Sequence, residues 1–197
     1  MEVRRATESD LAEVADILAD GFADDPFYEW VFESDQCALA AWQELIAQLA
    51  LAKGPAEIAD GACVVLWLPP GERAFGGAGD AARAEELLGR LLGPRGAEVW
   101  RAFGEIGRHR PVEPPAAAHL LHIATRRERR GEGLGAAACA PGLEECDRNG
   151  WPAFLNSTTP RNHPFYGRLG FRRIGEVDPG AGAPTIHPMW REPRPVG

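Results

Sequence analysis

Lysine is nearly absent from this chain: one residue, Lys53, against twenty arginines. That single fact excludes the phosphate loop G-x-x-x-x-G-K-[ST], because no lysine follows any glycine pair at the required spacing. The strong Arg-over-Lys bias reads as codon preference of a high-GC genome. Cysteine is also sparse, with four residues at 37, 63, 139 and 146. They give neither the density of a disulfide scaffold nor a Cys-x-x-Cys metal pair, so reduced, buried thiols and no metal are expected. No run of eighteen apolar residues occurs, and none is expected to enter a membrane. The opening MEVRRATESD has acidic residues where a secretory signal would carry an apolar segment. A cytoplasmic location is expected. The net charge of −8 disfavours nucleic acid and mildly favours a cationic amine.

What is present has the size of one domain over residues 1–197, with 45% hydrophobic residues and enough length for a sizeable core. Val3–Ala6 reads as a first strand. Thr7 with Asp10 three residues on is an N-cap pattern for a helix over Ser9–Ala23, and Asp24-Asp25-Pro26 breaks it before a second amphipathic piece to Phe32. A helix over Gln36–Ala52 follows. Ala56–Asp60 and Ala62–Leu68 flank Asp60-Gly61, a strong hairpin signal. Helices over Asp80–Leu92 and Pro94–Gly107 lead to an extended connector, His109–Pro115. The chain closes with strand His119–Thr125, helix Gly133–Asn149, strand Pro152–Asn156, helix Asn162–Leu169 and strands Phe171–Val177 and Pro184–Trp190. Pro141 inside the long helix should kink it. The late β-α-β unit forces one parallel pair with a right-handed crossover. Alternation along His119–Thr125 places His119, Leu121, Ile123 and Thr125 on one face and His122 on the other, so the two histidines are expected to face apart.

Residues 130–135, Arg-Gly-Glu-Gly-Leu-Gly, stand between a strand and an alanine-rich helix. Glycines without Cβ let a ligand approach the backbone, and the helix N-terminus offers unpaired N–H groups and positive potential, a receptacle for phosphate. The glycines at 131, 133 and 135 do not fit the dinucleotide fingerprint. Arg-x-x-Gly-x-Gly after a strand resembles the pyrophosphate-binding signature of the GNAT superfamily of N-acetyltransferases. A second segment about thirty residues on, with Tyr166 and Gly170-Phe171 in Tyr-x-x-x-Gly-Phe, is similar to that superfamily's other signature. The stretch RATESDLAEVADILADGFADDPF, Arg110-Pro111 with Glu113-Pro114, Ala140-Pro141-Gly142, and Pro160-Arg161-Asn162 with Pro164-Phe165-Tyr166 resemble puromycin N-acetyltransferase and its bacterial relatives. The similarity runs from Val3 to about Val177 and is weakest over Ala78–Arg108.

The resemblance implies an α/β fold with a mixed, largely antiparallel central sheet, helices on both faces, and a splayed parallel strand pair that admits the cofactor. It implies acetyl-CoA as cosubstrate, held by backbone at Ile123, Ala124 and Thr125 and by Arg130, Gly131, Glu132, Gly133, Leu134, Gly135 and Ala136, with Asn162 as a further contact or a helix cap. The run Arg126-Arg127-Glu128-Arg129-Arg130 reads as a clamp for the cofactor's phosphates or as a solvated loop. Tyr166 is the expected general acid for the departing thiolate, the alternative being a core tyrosine. His119 is read either as a general base or as a structural strand-end histidine. Asp25 and Trp30 are expected to line the acceptor pocket or merely to belong to a capped helix, and Asn156 to orient the acceptor. The acceptor is a small-molecule primary amine, with a homodimer left open. The competing reading is a non-catalytic acyl-CoA-binding sensor or assembly module.

Overall fold

The computed structural model describes residues 1–111 and 116–195. Most of the connector expected over His109–Pro115, with Glu113-Pro114, therefore lies outside the described residues. Seven strands form one sheet in the order β1 (Val3–Arg5), β2 (Ala56–Ala59), β3 (Cys63–Leu68), β4 (Ala118–Thr125), β5 (Ala153–Ser157), β7 (His187–Arg191) and β6 (Arg172–Arg173). Every pairing is antiparallel except β4 with β5.

The local signals act as expected at several points. The Thr7 N–H donates to Asp10 Oδ2 at 2.8 Å, closing the cap before α1 (Leu11–Phe22). Asp25 accepts from the N–H groups of Phe27 and Tyr28 at the start of α2 (Pro26–Phe32), with Pro26 in the first turn, where a missing N–H costs nothing. Asp60 and Gly61 both take positive φ, 47° and 61°, as a hairpin turn between β2 and β3 requires. Helices α3 (Gln36–Leu51), α4 (Asp80–Leu92) and α5 (Arg95–Arg108) pack with α1 and α2 on one face of the sheet, around Trp42, Ile17, Leu18 and Leu66. The other face is covered by α6 (Leu134–Asn149) and α7 (His163–Arg168), around Val65, Leu120, Cys139 and Leu155. Helix α6 continues through Pro141. No helix among the described residues is long and apolar enough to cross a membrane.

Four expectations need correction. The strand expected over Phe171–Val177 shrinks to Arg172–Arg173 plus a single bridge from Val177 to Ile186, because the edge of the sheet ends there. The helix expected from Asn162 begins with a 3-10 turn over Pro160–Asn162, capped by Thr159, whose hydroxyl accepts from Arg161 N–H; the Asn162 side chain makes no capping bond. Cys37 is exposed, while the other three thiols are buried and free. The histidines of β4 do not face apart. Leu66 lies opposite His122, but Trp67 lies opposite Leu120, so Leu121 is an extra residue in β4, a β-bulge. Leu66 and Leu68 share one face of β3, and their partners His122 and His119 therefore share one face of β4.

The parallel pair is brief. Only Ala118 and His119 of β4 pair with β5, at Ala153 and Phe154. Beyond His119 the two strands part, and β4 continues six residues to Thr125 with its β5 side unpaired in the ladder.

Candidate active site

The gap opened by that parting continues into a cleft of about 650 Å³ on the α6 side of the sheet. Its three loop glycines are required for different physical reasons. Gly131 and Gly133 have φ of 86° and 82°, strained for any residue with a Cβ, and a Cβ built on Gly131 would meet nothing within 4 Å. Open space above the backbone is what a ligand needs. Gly133 is also the N-cap of α6, and its carbonyl accepts from Ala136 and Ala137, leaving the N–H groups of Leu134 and Gly135 ahead of the first helical bonds. Gly135 serves packing: a Cβ there would press on Ile123 Cδ1 and Phe165 Cζ, both at 3.3 Å.

Ile123, Ala124, Thr125, Arg130, Gly131, Gly133, Leu134, Gly135, Ala136 and Asn162 all line this cleft. Glu132 does not; its carboxylate turns to Arg129 at 2.7 Å. The basic run is engaged with carboxylates. Arg126 reaches Asp16, Arg127 reaches Asp20, and Arg130 holds both oxygens of Asp24 at 2.7 Å while donating to Gly21 O. Three of its four arginines thus staple the loop to α1, a role that local sequence does not signal because the partners are about a hundred residues away. Arg161 and Arg168 line the cleft and enter none of these pairs. With an open glycine cradle, helix N–H donors and these guanidiniums, the cleft suits a phosphate-bearing ligand.

A second cavity, about 450 Å³, lies on the α2–α5 side of the splay. Phe22, Ile123, Asn162 and Tyr166 border both spaces, so the two adjoin along these residues. Tyr166 comes from α7, with its ring against Phe165 and Phe171. Burial pushes its phenol above the ordinary value, so it stays protonated. The bulge sends His119 and His122 into the same cavity. Burial, and then the Arg110 charge and His122, lower His119 to about 3; burial lowers His122 to about 4. Both imidazoles are neutral at physiological pH. His122 Nε2 lies 2.7 Å from the Tyr28 hydroxyl, and its Nδ1 is buried without a partner among the described residues. Asn156 also lines the cavity, and its Oδ1 is likewise buried and unpartnered.

The other two residues expected in the acceptor pocket are elsewhere. Asp25 borders the cleft only, spent on the α2 cap and on the Thr158 hydroxyl, which donates to Oδ2 at 2.5 Å. Trp30 borders neither space; its indole N–H donates to Ala181 O and its ring lies under the Arg95 guanidinium. Sequence reasoning missed Tyr28, His122 and Arg110, all of which line the cavity. Tyr28 lies far from β4 in sequence, and Arg110, eight residues before it, sits in the connector that has no periodic pattern to orient it. His122 was misplaced because a bulge leaves no mark in alternation.

No family model matches the sequence. Among solved structures, the fold is similar to one described as histone acetyltransferase HPA2 and related acetyltransferase from Corynebacterium glutamicum. That pair superposes with a TM-score of 0.70 at 22% identity, over 98% of this chain and 97% of the other. Arylalkylamine N-acetyltransferase 2 from Aedes aegypti gives 0.64 at 12% identity over 98% and 100% of the two chains. An agmatine N-acetyltransferase gives 0.63 at 12% identity, over 97% and 98%. With the splayed β4–β5 pair and the glycine loop opening α6, the chain has the fold of the GNAT acetyltransferases.

Proposed function

We propose that the protein is an acetyl-CoA-dependent N-acetyltransferase acting on a primary amine of a small molecule. The observation that carries this reading is Tyr166, a protonated, buried phenol that borders both a phosphate-suited cleft and an aromatic cavity. Cleft residues Gly131, Gly133 and Arg130, with Arg161 and Arg168, would hold the cosubstrate's phosphates. When bound, it supplies the activated acetyl group and a thiol carrier.

The chain's own residues supply the rest. Past His119 the backbone donors of β4 no longer pair with β5, and they are available to the developing oxyanion near the Leu121 bulge. Tyr166 donates its proton to the departing thiolate sulfur, a transfer suited to a phenol whose ordinary pKa is ~10. His119 and His122 are too weakly basic to hold the proton of an ammonium ion. As neutral hydrogen-bond acceptors lining the cavity, they position an amine that arrives already neutral, its proton having been lost to solvent. A volume of about 450 Å³ walled by Phe27, Trp100 and Phe103 fits one aryl-sized molecule. An arylalkylamine is the acceptor of one structural neighbour, and the same class suits this wall.

A panel of amines with acetyl-CoA and thiol detection tests the reading. Steady thiol release that requires an amine is expected. Tyr166→Phe should lower turnover about 10²–10⁴-fold with cosubstrate affinity nearly unchanged. Wild-type turnover in that variant, with chemistry rate-limiting, would return Tyr166 to a packing role.

A further inference from the structure

The acceptor cavity has an unexpected charge. The protein carries a net charge of −8, yet among the described residues no Asp or Glu lines this cavity, whereas Arg73, Arg108 and Arg110 do. Arg108 is held by Glu105 at the exposed end of α5. Arg110 is different: half-buried, it donates Nη1 to Glu72 O at 2.6 Å and Nη2 to Ala117 O at 3.4 Å, both neutral carbonyls. A guanidinium has five donor hydrogens, so most of its capacity remains. Burial and the nearby Arg73 charge depress it, and its own field depresses His119. A partly desolvated cation facing a cavity that presents no counter-ion among the described residues is costly, and a ligand anion would relieve it.

We propose that the acceptor is an arylalkylamine that also carries a carboxylate, bound by Arg110 with Arg73 while the aromatic wall holds the ring; this rests on the acetyltransferase reading above. The chemistry of the lining supports each part. Phe27, Phe75, Trp100 and Phe103 take an aromatic body. The absence of a lining carboxylate among the described residues leaves nothing to retain an ammonium ion, and the arginines favour the neutral, nucleophilic amine. Arg110 meets the chain at Ala117, four residues before the Leu121 bulge, roughly 13 Å of extended strand. Less a hydrogen bond of about 3 Å at each end, that leaves roughly 7 Å between an anion at Arg110 and an amine near the bulge, the span of a ring with a short alkyl arm. Planar, bidentate pairing with a carboxylate is what the guanidinium does best.

The test compares three acceptors of one shape with acetyl-CoA: phenethylamine, its para-carboxylate, and the methyl ester of that acid. For the wild type, kcat/KM for the carboxylate should exceed that for the ester by about 10- to 100-fold, mostly through KM. Arg110→Gln should collapse that ratio toward one, and Arg110→Lys should restore part of it; melting temperatures establish that both variants fold. A wild-type ratio at or below one, or a ratio unmoved by Arg110→Gln, overturns the assignment while leaving the acetyltransferase intact. If no amine releases thiol, that activity fails, and calorimetry with the para-carboxylate still decides the cavity. Binding lost in Arg110→Gln supports the assignment, and no binding to the wild type overturns it.

Discussion

Two imidazoles separated by two residues on one strand behave as a pair because a single extra residue turns them to the same side. The consequence is electrostatic. His119 and His122 lie well below the ordinary histidine value, at about 3 and about 4, mainly through burial. The rate–pH profile should therefore show no imidazole limb between pH 5 and 8, contrary to what an exposed general-base His119 would give. Stability has a matching sign. A histidine whose folded pKa is depressed binds its proton in the unfolded chain first, so native stability is full above about 6.5 and falls as pH drops through the window toward about 4. Urea unfolding at pH 7, 6 and 5 should show a declining midpoint, with a shallower decline in His119→Gln. An equal slope in wild type and variant would mean that His119 titrates normally.

At the scale of elements, close approach between α6 and the sheet sets the cleft. A Cβ at Gly142 would stand 2.4 Å from Trp67 Nε1, in a fully packed layer. The ring of Trp67 is buried against that layer and has little room to move. Gly142→Ala should cost about 1–3 kcal/mol despite the better helix propensity of alanine, read as a lower urea midpoint at unchanged m-value. Stability equal to wild type would show that α6 can shift outward. The neighbouring cap acts on the ligand instead. Gly133 needs positive φ and an open face, so Gly133→Val should strain the loop and block the cleft together.

For the molecule as a whole, the proposed function implies that cosubstrate binding is linked to folding. At a hundredfold excess of acetyl-CoA over its dissociation constant, the linkage is worth ~2.7 kcal/mol, and the melting temperature should rise accordingly. Gly133→Val should abolish the rise, and high salt should diminish it because arginines carry much of the phosphate attraction. A wild-type melting temperature indifferent to saturating acetyl-CoA would remove the basis of the functional reading. The acidic net charge argued for a cationic acceptor, whereas the cavity's own lining is basic. Whole-chain charge is a sum over solvated surface, and Asp16 and Asp20 of α1, with Asp24 just beyond it, are engaged by the arginines before α6.

The sequence by itself determined whatever depends on neighbours along the chain. Asp60-Gly61 made a turn because few residues tolerate positive φ, Thr7 and Asp10 closed a cap across three residues, and the glycines of the loop opened α6 because the backbone there admits no Cβ. Tyr166 and the loop could be read together because a β-α-β crossover brings its two ends to one edge of adjacent strands. Only the tertiary structure decided the acceptor side. That Leu121 bulges out of register depends on how β4 meets β3, and that Tyr28, Arg110 and Asn156 share one cavity depends on how α2, the segment after α5 and strand β5 are packed together. Asp25 and Trp30 looked like pocket residues by position, yet a helix cap and an indole hydrogen bond claimed them, because their partners Thr158 and Ala181 arrive from the other end of the chain.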